Sequence, residues 1–349
     1  HLCDRRQRQM CIRDRKKKEQ NKIPNFQYME RKENFMEKEK QMQLTPEMIA
    51  NMAAGNVSNV QSLSDIFINN MKGKAAIVTG GASGLGYNVV NRLSEAGVKV
   101  VIASRNEKKG KKAEEEFRSR GREVTWCQTD VTKVSDCYKA VEFTEKTYGK
   151  VDILVANAAT WSMFSFLDMP EEEYDKVMNT DLKGEYFMAQ AAARSMVRNK
   201  VKGKIIFTSS AARHSSDVAG IGMMSHYNAA KGAVASMTMG VAKELRQYGI
   251  TVNCVAPGGM VSEGALTNTG KAAAYYGTEL IQEQMALAKD TPTAMNPDEV
   301  AIAVFAMCTD MSNYMVGETV DVTGGATLSF QKKPWSYTMP GCIPEPKEE

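Results

Sequence analysis

Residues 74–93 read KAAIVTGGASGLGYNVVNRL, and their pattern decides the fold. Lys74 to Thr79 (KAAIVT) read as a first strand, residues 80–86 turn the chain, and a helix is predicted over Tyr87–Ala96. The glycines are spaced Gly80-x3-Gly84-x-Gly86, between a strand and a helix. Such a turn lets backbone approach a pyrophosphate at a helix N-terminus, where unpaired N–H groups and the helix dipole favour an anion. A glycine cluster alone would mark no more than a tight turn, so its place between strand and helix carries the reading.

The alternation continues downstream. A second strand is predicted at Val98–Ala103, and further ones at Glu123–Gln128, Val151–Ala156, Lys204–Thr208, Thr251–Val255 and Thr319–Val322. Helical periodicity occupies Lys133–Tyr148, Gly184–Asn199 and Ala229–Tyr248. Strands alternating with helices on short connections predict an α/β fold: a single doubly wound, parallel, seven-stranded Rossmann-type sheet with helices on both faces, over residues 72–330.

The chain has 349 residues, more than one such domain needs, and the surplus lies at its ends. Residues 1–43 read as a disordered lead-in, and residues 1–15 (HLCDRRQRQMCIRDR) resemble a translated sequencing-adapter read-through, which would put the natural start at Met29, Met36 or Met42. Residues 44–71 read as a short helix near 46–54, begun by Thr45-Pro46-Glu47, followed by a linker. Residues 331–349 form a Pro-rich tail. The net charge of +4 belongs to the lead-in: residues 1–40 hold 13 basic and 7 acidic residues, leaving 32 basic against 34 acidic for the rest. The body is faintly acidic, which argues against nucleic-acid and anionic-membrane partners. No apolar run approaches membrane-spanning length. The seven cysteines are scattered without a C-x-x-C pair, as expected of reduced thiols in a cytoplasmic protein with no metal site.

The second chemical signal is Tyr227-Asn228-Ala229-Ala230-Lys231. Spacing of four on a helix puts the phenol and the ammonium on one face. A Lys near a phenol stabilises the phenolate, drawing its pKa below about 10 and letting Tyr exchange a proton with a carbonyl or hydroxyl.

With both motifs in place, the body resembles the short-chain dehydrogenase/reductase family. The supporting motifs come in order: TGGASGLG (residues 79–86), Asp130-Val131 after the third strand, Asn157-Ala158-Ala159 after the fourth, Ser210 after the fifth, Tyr227 with Lys231, and Pro257-Gly258 ending the sixth. The resemblance implies reversible hydride transfer between a nicotinamide and a ketone or secondary alcohol. In it Tyr227 is the acid/base, Lys231 binds the nicotinamide ribose and tunes Tyr227, and Ser210 holds the substrate oxygen. It also implies cofactor contacts from Gly80, Ser83, Gly84, Leu85, Gly86, Asp130, Val131, Asn157, Ala158, Pro257, Gly258, Met260 and Ser262, besides Tyr227 and Lys231. An enoyl or dienoyl thioester reductase of the same family, and a non-catalytic NADP-binding sensor or scaffold, are the alternatives.

Charge argues the cofactor. Where a carboxylate after the second strand would hold a ribose 2′-hydroxyl and repel a 2′-phosphate, this chain has Ser104 and Arg105, which suit a 2′-phosphate and so NADP(H) over NAD(H). Three departures from the family pattern stand out. Asp181 occupies the position of the family's active-site Asn, and its charge is expected to raise the Lys231 pKa. Ala156 and Ala159 replace an amide and a glycine. Ser210 precedes Tyr227 by 17 residues, a longer interval than usual, with Ser209 an alternate for the serine role.

The enlarged loop carries His214 and His226, candidate polar contacts. Met223, Met224, Met260, Tyr275 and Tyr276 suggest a wall for a sizeable, partly apolar small-molecule substrate, and residues 262–290 a lid. By the resemblance, the 184–199 and 229–248 helices and the strand near Thr319 would pair copies into a homodimer or homotetramer.

Overall fold

The computed structural model describes residues 62–214, 223–260, 262–279, 282 and 295–325. The chain divides into two units between Gln61 and Ser62, and all described residues belong to the second. The predicted 46–54 helix and the 331–349 tail lie outside them.

Seven strands form: β1 Ala75–Thr79, β2 Lys99–Ser104, β3 Val124–Gln128, β4 Ile153–Ala156, β5 Lys204–Thr208, β6 Thr251–Pro257 and β7 Thr319–Val322. They make one parallel sheet in the order β3-β2-β1-β4-β5-β6-β7. Strands buried on both faces explain the near-continuous apolar runs. Alternate side chains serve different cores. Ala76, Val78, Val100, Ile102, Ile153 and Val155 face one, while Ile77, Val101, Leu154, Ile205 and Phe207 face the other.

The helices are α1 Leu63–Phe67, α2 Gly84–Glu95, α3 Glu107–Ser119, α4 Val134–Tyr148, α5 Glu171–Val177, α6 Glu185–Arg198, α7 Ser225–Leu245, α8 Glu263–Tyr276 and α9 Pro297–Cys308. Side chains of α2, α3 and α9 complete the first core, and those of α4, α6 and α7 the second. Strand order reverses between β1 and β4, and at such a point the loops leaving the strands' C-terminal ends diverge and open a crevice.

Several elements depart from the sequence expectation. The predicted 87–96 helix begins at Gly84, directly after extended Ser83. The linker read up to Asn70 contains α1, whose N-terminus is capped by Ser62 accepting from the Asp65 N–H at 3.0 Å. The first half of the expected 262–290 lid is helix α8, capped by Ser262 accepting from Ala265 N–H at 3.1 Å. Residues 283–294 lie outside the described residues. A seven-residue π-helical segment, Met178–Gly184, joins α5 to α6. No described helix is long and apolar enough to cross a membrane.

Candidate active site

The glycine turn is built by close approach. Gly80 has φ +68°, a left-handed conformation that a side chain resists, and a Cβ there would sit 3.1 Å from the Ala158 Cα. At Gly86 a Cβ would come within 2.5 Å of the Gly80 carbonyl oxygen. The turn is tied to the end of β4 by Thr79, whose buried hydroxyl accepts from the N–H groups of Asn157 at 2.8 Å and Ala158 at 2.9 Å. Asn157 Nδ2 in turn donates to the Thr79 carbonyl at 3.0 Å, so its amide is committed to holding the two loops together.

From this turn a cavity of about 500 Å³ runs along the C-terminal ends of the strands. One end is bordered by Ser104, Arg105, Asn106 and Lys109, with Asp130 and Val131 beside them. Ser104 Oγ accepts from the Trp126 indole N–H at 3.0 Å, which leaves the hydroxyl hydrogen free to turn outward. Arg105 is exposed. The Asp130 carboxylate accepts from Thr132 N–H at 3.1 Å and Thr132 Oγ1 at 2.8 Å, holding the loop after β3. Pro257, Gly258, Met260 and Ser262 border the cavity from the β6 side.

The other end holds the titratable cluster. Tyr227 and Lys231 lie in the first two turns of α7, and Ser210, just past β5, borders the same cavity as the Tyr227 phenol and acts to lower its pKa. The two candidate serines separate cleanly. Ser209 is buried, its hydroxyl donating to the Lys231 carbonyl at 2.7 Å to anchor α7, so of the two only Ser210 reaches the phenol.

Lys231 is fully buried, with Nζ 5.9 Å from the Tyr227 ring centre. Its ammonium donates to Glu185 Oε1 at 2.9 Å and to the Thr208 carbonyl at 2.7 Å, and lies 3.3 Å from Asp181 Oδ2. Asp181 does not border the cavity. It is wholly buried, with Oδ1 accepting from the Thr160 N–H at 2.8 Å. Burial alone would depress the Lys231 pKa, but Glu185 and Asp181 outweigh it and hold the ammonium above its ordinary range. Burial lifts both carboxyls above theirs, against the pull of Lys231. The Tyr227 phenol also stands above about 10, because burial raises it more than Lys231 and Ser210 lower it, and the two carboxylates add to the rise. Lys231 does draw the phenol down, as expected, but burial outweighs it, and Asp181 and Glu185, the latter missed by sequence reasoning, add to the rise.

The substrate-side wall gathers the expected Met and Tyr residues. Met223 and Met224 pack with Trp161 and Met163, the Met223 carbonyl accepts from Phe164 N–H at 3.0 Å, and the Tyr276 hydroxyl accepts from Ser165 N–H at 2.9 Å. Tyr275 is exposed and packs edge-on to Phe164 at 5.5 Å. His226 is buried with Nε2 3.1 Å from Ser162 Oγ, and His214 stands at the surface 3.4 Å from Asp321 Oδ2. Neither borders the cavity. The buried thiols are held neutral, Cys137 at about 11 and Cys254 and Cys308 at about 12, all through burial first. Among the described residues no cluster could hold a metal ion.

The profile of the short chain dehydrogenase family matches residues 74–271. A (21S)-21-acetoxyl-apo-melianone synthase from Melia azedarach is 32% identical over 261 residues, covering 74% of this chain and 91% of that protein. A diacetyl reductase [(S)-acetoin forming] from Staphylococcus epidermidis is 31% identical over 264 residues, covering 72% and 98%. Among solved structures, a variant of actinorhodin polyketide ketoreductase with NADPH superposes with a TM-score of 0.66, with 25% identity and 73% and 98% coverage.

Proposed function

The chain belongs to the short-chain dehydrogenase/reductase family, and on that premise we propose that it is an NADP(H)-dependent oxidoreductase interconverting a ketone and a secondary alcohol, with Tyr227 as the acid/base. One observation carries the reading: the Tyr227 phenol and Ser210 stand in the same crevice as a glycine turn that leaves no room for a Cβ at Gly86. The cradle fits a dinucleotide. Gly80 and Gly86 let the turn pack closely on Ala158 and on itself, which presents the backbone N–H groups at the start of α2 to a pyrophosphate, and Ser104 and Arg105 supply a hydroxyl and a guanidinium for a 2′-phosphate.

A bound nicotinamide would supply the hydride. The chain's own part is proton management. Ser210 and Tyr227 would hold the substrate oxygen between two hydroxyls, and Tyr227 would give it a proton as negative charge develops there. Trp161, Met163, Met223 and Met224 would keep water from the reacting carbon. Assembly through the α6 and α7 faces fits their exposed Tyr186, Val197 and Met239.

The test is a panel of small ketones, steroids, sugar acids and acyl thioesters, assayed with NADPH and NADH in parallel. We expect ketone reduction with NADPH preferred, and in Arg105→Ala an NADPH affinity lower by about tenfold with NADH affinity unchanged. A strong NADH preference would overturn the cofactor assignment, and thioester reduction in place of ketone reduction the substrate assignment.

A further inference from the structure

The feature that the Tyr-Ser-Lys reading does not use is the second buried carboxylate. Glu185 is at the start of α6, four residues beyond Asp181 on a continuous π-to-α helix, and that spacing turns both acids toward the same ammonium. Glu185 Oε1 meets Lys231 Nζ at 2.9 Å, and Oε2 accepts from the Thr208 N–H at 3.3 Å. Both carboxylates and the lysine are buried to within 2%. The ammonium donates to Glu185 Oε1 and the Thr208 carbonyl and lies 3.3 Å from Asp181 Oδ2, so the charge nearest to it is carboxylate on two sides.

We propose that Glu185 is a positioning residue of the reaction: paired with Lys231 beside Asp181, it cancels the cationic field that would stabilise a Tyr227 phenolate, and so keeps Tyr227 a proton donor and the site suited to carbonyl reduction. The cancellation holds wherever the shared proton sits. With both acids ionised, the cluster carries a net −1. With one proton shared between them, it is neutral. In neither state does the Tyr227 oxygen face a net positive charge. Other groups near the phenol do not alter the sum: Ser210 is neutral, and the Cys254 thiol on β6, which faces Glu185 and Lys231, is held neutral by burial. The direction of the Tyr227 shift agrees, since both Asp181 and Glu185 act to raise it.

The inference rests on Tyr227 being the acid/base, but its test does not need turnover. Because one acid may hand its proton to the other when either is removed, the informative comparison is Asp181→Asn against Asp181→Asn/Glu185→Gln, which differ only in the Glu185 carboxylate. In the cofactor-free proteins, the ultraviolet titration of tyrosinate is recorded for each and for its Tyr227→Phe counterpart, so that the difference isolates one of 12 tyrosines. The Tyr227 midpoint is expected to fall by about one unit or more when the carboxylate is removed, and to be restored by Asp181→Asn/Glu185→Asp. The pH profile of alcohol oxidation should move to lower pH by the same amount, about a tenfold rate gain per unit on its rising limb. An unchanged or raised midpoint in a protein that keeps its far-ultraviolet dichroism and NADPH binding overturns the inference. If the double variant does not fold, Glu185→Gln alone, compared with the natural chain, must show an equal or lower midpoint, and a raised one overturns it. Turnover surviving in Tyr227→Phe would instead remove the acid/base reading and leave the titration to stand by itself.

Discussion

Charge at single residues sets what this site can do. A buried lysine without a counter-ion is an expensive arrangement, and one with two carboxylates within 3.3 Å is strongly held as a cation, which the raised Lys231 pKa reflects. The consequence for pH runs through Tyr227. Its phenol stands above about 10, so at neutral pH it carries the proton needed for reduction, and the base form needed for oxidation appears only as pH rises through that raised value. Reduction should accordingly persist to alkaline pH and oxidation should require it. Tyr227 and Lys231 were legible because four residues separate them on one helix. Glu185 was not, because its lysine is 46 residues away and only the packing of α7 against the π segment and β5 brings them together. A glutamate directly after Gly184, in a helix otherwise read as apolar on its buried face, was the available signal.

At the scale of elements, the fold rests on loops pinned to one another at the crevice. Thr79 ends β1 and accepts from two backbone N–H groups beyond β4, coupling the glycine turn to the loop on the substrate side. Thr79→Val keeps the shape and removes the acceptor. Each N–H left without a partner costs about 1–3 kcal/mol, so denaturant unfolding should show a loss of that order or more, with NADPH binding weakened alongside. Unaltered stability would mean water replaces the hydroxyl. All seven strands could be read to within two residues from apolar runs, β6 continuing two residues past its expected end, through Pro257. Helix α3 escaped that reading because its 13 residues are mostly charged and bury only Gly110, Ala113 and Phe117. Helix α9 escaped it for the opposite reason: Val300 to Cys308 is apolar on most sides, without the period that marks a half-exposed helix. The π segment leaves no period of its own, and it is what sets Asp181 and Glu185 on Lys231.

At the scale of the whole molecule, α6 and α7 present the face that a second copy would cover. Tyr186, Val197 and Met239 are each more than a third exposed, and the first two, with Leu245 and Tyr248, border a groove of about 430 Å³. Apolar side chains in this number on two adjoining helices are unusual on a surface that stays wet. Light scattering should give a mass of two or four 38.5 kDa chains, and Val197→Asp a single one. A natural chain that is monomeric at micromolar concentration would contradict this assembly. The central claim is that the Tyr227 hydroxyl moves the proton, and the direct measurement is turnover of Tyr227→Phe with NADPH and the best ketone of the panel, alongside NADPH binding. The account predicts binding within about twofold of the natural protein and a turnover lower by about 10²-fold or more. Turnover equal to that of the natural chain would contradict it.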